Sequence, residues 1–178
     1  MRNLGVFVFL LITAPLTAAA ADANLYWGLM AGESKIKIVG EEFNPTSLTG
    51  RLGFELNKFL SVEARGMFGQ YDGSSLSDTL LEITYLGNAS VKLNIPFGDV
   101  RRINVYGLAG YSTWKLTAKQ GTLKAHDTYD GASYGVGIDL IADGINGLNI
   151  EYIRYGDINE NGLEYTLDTA SIGYFRRF

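Results

Sequence analysis

The 178-residue chain carries 15 basic against 19 acidic residues, a formal charge of −4, which argues against general nucleic-acid binding. It has no cysteine, which excludes a disulfide framework, a thiolate zinc site and a thiol nucleophile. Beyond the first 23 residues no stretch approaches 18 uninterrupted apolar residues, so a helical membrane span is excluded even though mean hydropathy is slightly positive.

The chain opens with the three-part grammar of a secretory signal. Arg2 supplies positive charge, Leu4 to Leu16 is almost unbroken apolar chain, and small residues follow. The apolar run is shorter than the ~20 residues a bilayer span needs, and A-x-A sites end at Ala20, Ala21 or Ala23. This predicts a signal peptide over residues 1–23, cleaved near 20–23, and a single mature domain over 24–178 carrying a formal charge of −4.

Strict alternation of apolar and polar residues then recurs in eight segments of about ten residues, the length with which a tilted strand crosses a bilayer. The first is Leu25 to Gly32. The second, Ser47 to Asn57, sets Leu48, Gly50, Leu52, Phe54 and Leu56 against Thr49, Arg51, Gly53, Glu55 and Asn57. A tight Asn57-Lys58 link joins it as a hairpin to the third, Phe59 to Gln70. The fourth, Leu80 to Ile95, places Ile83 and Tyr85 on its apolar face and Glu82 and Lys92 on the other.

Segments five (Ile103 to Leu116), six (Gly131 to Ile141), seven (Leu148 to Tyr155) and eight (Leu163 to Phe178) continue the pattern. Segment seven is irregular, because Arg154 shares parity with Leu148, Ile150 and Tyr152. Either it lies above the apolar band or a bulge shifts the register nearby. Long connections (Glu33 to Thr46, Tyr71 to Thr79, Thr117 to Asp130) alternate with shorter ones. Short periplasmic turns and longer external loops produce that alternation, and an even strand number leaves both termini on the periplasmic side. The expected fold is all-β: an eight-stranded antiparallel up-and-down transmembrane β-barrel.

The charges orient the faces. One parity is nearly uncharged, while the other collects Arg51, Glu55, Glu63, Arg65, Glu82, Lys92, Asp139 and Glu151. The uncharged face is expected to meet lipid and the charged face to form a lumen network, because a lumen of eight strands is just filled by side chains. A plugged barrel is expected rather than a porin. Aromatics near segment ends predict girdles: Trp27, Phe59, Phe97, Tyr174 and Phe178 on the periplasmic side, and Phe68, Tyr71, Trp114, Tyr155 and Tyr165 on the outer side.

Several landmarks carry a resemblance to a known family. They are Tyr26-Trp27-Gly28 in the first segment, the hairpin from Gly50 to Arg65, Tyr106-Gly-Leu-Ala-Gly-Tyr111 in the fifth, and a last segment closing on Phe178. Over the whole mature sequence the chain resembles the small outer-membrane barrels that include the OmpX, Ail and opacity proteins. The resemblance implies the outer membrane of a Gram-negative bacterium. It also implies a carboxy-terminal assembly signal carried by Ile172, Gly173, Tyr174 and Phe178 and read by the outer-membrane assembly machinery. Arg176 departs from the usual apolar residue there.

Family members serve in envelope integrity, adhesion and resistance to host defences. The leading expectation is therefore a non-enzymatic surface barrel without cofactor or metal. Its partners are expected to be outer-membrane lipid, lipopolysaccharide and a host or envelope surface ligand. Candidate contacts are Lys35 and Lys37 in one long connection and Lys119, Lys124 and His126 in another, where lysines just outside the membrane meet phosphates. Loop charges of this kind also simply keep a surface solvated. Residues 34–39 alternate, predicting either a projecting edge open to a partner strand or an ordinary extension of the first strand.

Two other classes compete. An enzyme acting on lipid A needs a nucleophile with a nearby base, and His126 is the only imidazole. The pairing of Glu55 and Glu63 with Arg51 and Arg65 reads as an ion network rather than as acid/base chemistry. A soluble periplasmic lipid-binding barrel also has eight strands and a signal, but it would carry its apolar face inward.

Overall fold

The computed structural model describes residues 24–38, 41–70, 72–73, 80–98, 102–120, 123–160 and 163–178; the expected signal segment lies outside them. All regular structure among the described residues is strand: β1 (Leu25–Ile38), β2 (Glu41–Phe43), β3 (Thr46–Asn57), β4 (Leu60–Gly69), β5 (Asp72–Gly73), β6 (Leu80–Phe97), β7 (Ile103–Gln120), β8 (Leu123–Ile141), β9 (Asn146–Glu160) and β10 (Leu163–Arg177). Two are short. β2 returns on the outer end of β1, and β5 pairs with β6.

The other eight are staves joined in the order β1, β3, β4, β6, β7, β8, β9, β10, and β10 pairs with β1 from Tyr26↔Arg177 to Ile38↔Tyr165 to close the ring. Closure removes both sheet edges, which is what a sheet in hydrocarbon requires, since unpaired backbone groups there cost several kcal/mol each. At the end of the barrel holding Asn24 and Phe178 the described connections are tight. Asn57 Oδ1 accepts from Phe59 N at 2.8 Å, and Gly98 and Gly144 adopt left-handed backbone at φ 82° and 83°.

Apolar side chains point outward. Leu52, Leu93, Val136 and Phe68 are each more than 60% exposed, whereas Arg51, Glu63, Arg65, Lys92, Asp139 and Glu151 are at most 5% exposed inside. This inverts the arrangement of a water-soluble barrel and removes the lipid-carrier reading. The wall is a transmembrane band.

Several boundaries and faces differ from the sequence reading. The strands run further outward than the segments predicted: β1 continues to Ile38, and Thr117 to Asp130 is mostly a ribbon formed by β7 and β8, paired as far as Gln120↔Leu123, rather than a loop. Residues 34–38 are an ordinary extension, paired with β10 throughout and with β2 at the end.

A bulge in β6, where the register skips Thr84 between Ile83↔Leu116 and Tyr85↔Lys115, inverts the parity above it. Ile83 therefore turns inward, fully buried, and Glu82 turns to the outer face opposite Thr117. Trp114 and Tyr155 are also interior, 2% and 1% exposed, and not girdle residues. Tyr71 lies outside the described residues. Arg154 keeps its outward parity above Tyr152, and the β9–β10 register shift falls just beyond it, between Thr166 and Asp168.

Candidate functional site

The interior has two layers. In the periplasmic half, side chains from opposite staves meet. Arg65 on β4 donates to Glu63 on its own strand, and its Nη1 donates to Glu151 on β9 at 2.6 Å. Arg51 on β3 reaches Asp139 on β8 through Nη2 at 3.2 Å, and Lys92 donates to the other oxygen of Asp139 at 2.7 Å. Every described charge here faces an opposite charge at close range, which is the condition under which buried ions are tolerated.

Neutral groups complete the layer. The Tyr26 hydroxyl donates to Glu63 Oε2 and the Tyr106 hydroxyl to Glu151 Oε2, each at 2.7 Å. Asn149 donates to Asp139 Oδ1 at 2.8 Å. The face of the Arg51 guanidinium is covered by the rings of Tyr26 and Phe175, 5.6 and 5.3 Å from their centroids, and Lys92 Nζ lies 3.8 Å from the Tyr106 centroid.

Glycine on the neighbouring strand makes room for each tyrosine. Tyr26 pairs with Gly53 and Tyr106 with Gly137, and a Cβ at either glycine would overlap the ring. The tyrosines were the part of this network that the sequence reading missed. Their parity, shared with the lumen charges, was the available signal.

Two residues of the expected network stand apart from it. Glu55 is half-buried at the periplasmic mouth, with its carboxylate 3.0 Å from Arg177 Nη2. Glu82 is outside, for the bulge reason above. The outer half of the interior holds an apolar cluster, Ile36, Met67, Ile83, Leu86, Trp114, Ile153, Tyr155 and Leu167, with Tyr129 stacked on Trp114 at a centroid distance of 6.1 Å, beside a buried hydroxyl group of three in which Ser34 Oγ lies 3.0 Å from Ser47 and 2.9 Å from Thr169.

The last strand places Ile172 and Tyr174 outward, with the Tyr174 hydroxyl bonded to Asn146 and its ring edge-on to Trp27 at 5.9 Å. Gly173 lies against Leu29 and Met30, and Phe178 N donates to Leu25 O at 3.0 Å.

The candidate surface cations all lie on strands rather than in loops. Lys35 and Lys37 project outward from β1, Lys35 pairing with Glu42 at 2.5 Å. On the ribbon, the register sets Lys115↔Thr128, Thr117↔His126 and Lys119↔Lys124, so these six share one face. Lys115 was not among the sequence candidates, because its grouping becomes visible only when β7 is known to continue. Among the described residues no group of three His, Asp or Glu is placed to hold a metal ion.

One turn carries a defined electrostatic feature. Asp143 Oδ1 accepts from Asn146 N at 2.6 Å and Ile145 N at 3.0 Å. Those donors, Asn146 first, hold its carboxyl down at about 2.

The Outer membrane protein beta-barrel domain family matches residues 4–178. No curated relative matches the sequence. Among solved structures, Neisserial surface protein A is similar with a TM-score of 0.69 at 16% identity, over 87% of this chain and 97% of that one. The attachment invasion locus protein Ail of Yersinia pestis, solved in complex with the heparin analogue sucrose octasulfate, has a TM-score of 0.60 at 13% identity, over 86% and 98%. OprG of Pseudomonas aeruginosa has 0.57 at 15%, over 86% and 94%. These likenesses concern the fold, and the sequence match concerns the family: the chain belongs to the outer membrane protein β-barrel domain family and is an integral protein of the Gram-negative outer membrane.

Proposed function

We propose that this protein is a non-enzymatic barrel with a plugged lumen, whose external ribbons do its work as an envelope-structure, adhesion or surface-interaction protein. The observation that carries this reading is that ion pairs join opposite staves across the barrel axis, Arg65 to Glu151 and Arg51 to Asp139, under an apolar cluster. Conduction through such an interior requires breaking buried ion pairs. The carboxylates that acid/base chemistry would use are engaged by arginine and lysine, and His126 is exposed on the ribbon opposite Thr117.

In this reading residues 1–23 are removed on export, and Ile172, Gly173, Tyr174 and Phe178 form the signal read by the assembly machinery. The lumen charges serve folding, and lipopolysaccharide, leaflet lipid and a host or envelope ligand are met on the outside. Planar-bilayer recording of the purified, refolded protein tests the core of it. The expected result is a silent bilayer; stepwise ohmic conductance would overturn the plugged lumen. For the enzymatic alternative, cells expressing the wild type and His126→Ala are expected to share one lipid A profile. A profile that changes with the wild type alone would reinstate catalysis.

A further inference from the structure

The lumen network and the external ribbons leave Arg176 without a role. It keeps the outward parity of Ile172 and Tyr174, whereas its neighbour Arg177 turns into the periplasmic mouth and pairs with Glu55. The register sets Arg176 between Trp27 on β1 and Asn146 on β9. Among the described residues no carboxylate lies within ion-pair distance of it.

The wall just above Arg176 is apolar and hollowed. Leu140, Leu148 and Tyr174 stand in one outward row across β8, β9 and β10, all three exposed, and they line a trough of about 330 Å³. Asn146 and Arg102 line the same trough. Arg102 is exposed at the rim, one residue before β7, where its carbonyl accepts from Ile141 N at 2.7 Å. It too has no carboxylate within ion-pair distance among the described residues.

The acid of this corner is already engaged. Asp143 accepts from Asn146 N, Ile145 N and Asn146 Nδ2, all within its own turn, and Asn146 Oδ1 accepts from the Tyr174 hydroxyl. Two guanidiniums therefore face one occupied carboxylate, which leaves one positive charge in excess. Arg102 and Arg176 stand three staves apart, about 14 Å between backbones, within the combined reach of two arginine side chains.

We infer that this corner of the periplasmic rim is a binding site for an anionic phospholipid of the inner leaflet. Its phosphate lies between Arg102 and Arg176, and an acyl chain fills the trough over Leu140, Leu148 and Tyr174. Arginine suits the first task because its planar fork meets phosphate oxygens in pairs while its aliphatic stem stays against apolar wall. The trough decides the source, since it opens on the lipid-facing wall and a soluble anion has nothing to place there. The excess charge decides the headgroup, since a zwitterionic lipid brings its own cation. This site is independent of the work assigned to the external ribbons, so conductance or altered lipid A chemistry defeats that reading and leaves this one standing.

Trp27, paired in register with Arg176 and edge-on to Tyr174, is a reporter already in place. The refolded Trp114→Phe barrel keeps Trp27 as its remaining tryptophan. It is placed in phosphatidylcholine vesicles in which a minor fraction of the lipid carries brominated chains, either as phosphatidylglycerol or as phosphatidylcholine. Heat-dependent gel mobility verifies that each variant is folded.

Quenching is expected to report an enrichment of phosphatidylglycerol at Trp27 of about fivefold over phosphatidylcholine. Adding Arg102→Gln/Arg176→Gln is expected to bring it within about twofold of none, whereas Lys58→Gln, on the β3–β4 turn away from the trough, leaves it unchanged. About 1 M salt is expected to weaken it. Equal quenching by the two brominated lipids in the barrel without rim substitutions overturns the site, and so does an enrichment that survives the double substitution. Brominated phosphatidylethanolamine enriched as strongly as phosphatidylglycerol overturns the anionic assignment. Inorganic phosphate that removes the enrichment as completely as the double substitution overturns the lipid source in favour of a soluble anion.

Discussion

Arg65 and Glu151 stand four staves apart in a ring of eight, diametrically opposite, and Arg65 Nη1 donates to Glu151 Oε1 at 2.6 Å. Arg51 and Asp139 repeat the relationship one stave round, on β3 and β8, at 3.2 Å. Two diameters of the barrel are thus spanned by ion pairs, and each carboxylate is shared with a second donor.

Removing Arg65 leaves two buried carboxylates, Glu63 and Glu151, facing the single guanidinium of Arg51, whose Nη1 lies 3.7 and 4.0 Å away. Arg65→Met is expected to destabilise the barrel by about 3–5 kcal/mol, the range for breaking a buried pair from one side. Urea unfolding in lipid vesicles, followed by heat-modifiable gel mobility, measures this. The double variant Arg65→Met/Glu151→Gln is expected to recover part of the loss, because one of the two carboxylates that Arg65 served is also gone.

Glycines of the wall are expected to respond with opposite signs. A Cβ at lipid-facing Gly66 meets nothing within 4 Å, so Gly66→Ala is expected to stabilise by about 0.5–1 kcal/mol through lower chain entropy. A Cβ at Gly156 would overlap the Trp114 ring, so Gly156→Ala is expected to cost about 1–3 kcal/mol as overpacking. The same unfolding assay on both variants checks the contrast.

The two tryptophans report the two sides of the wall. Trp27 shares the outward parity of Leu25 and Leu29, and Trp114 is 2% exposed inside. With Trp114→Phe, brominated acyl chains are expected to quench most of the remaining emission, and with Trp27→Phe to quench little. Equal quenching would contradict the interior placement of Trp114.

The Asp143 carboxyl, held at about 2 against an ordinary 3.8, adds stability to its turn that is fully present above the ordinary value and is lost as pH falls through about 2. Carbon-detected NMR of the carboxyl is expected to show that midpoint. Asp143→Asn is expected to remove this contribution to the acid dependence between about 4 and about 2.

Much of this architecture was legible in the sequence because a strand's side-chain period is a local property. Alternation through Leu48 to Asn57 shows which residues share a face, and the placement of Arg51 and Glu63 on one parity shows which face avoids lipid. The external cations were legible as residue types but not as a group. Lys115, Lys119, Lys124 and His126 share a face only because β7 and β8 continue as a paired ribbon beyond the predicted segment ends.

By itself, then, the sequence determined the strand class, the number of staves and, over most of each stave, the choice of inner and outer face, since these follow from period-two patterning. The tertiary structure alone decided that Glu82 leaves the lumen while Ile83 enters it, and that Arg65 meets Glu151 while Arg51 meets Asp139. A single unpaired residue such as Thr84 inverts every face above it without disturbing local composition. Partners across a barrel depend on the stagger at closure, a property of all eight staves together and of no segment alone.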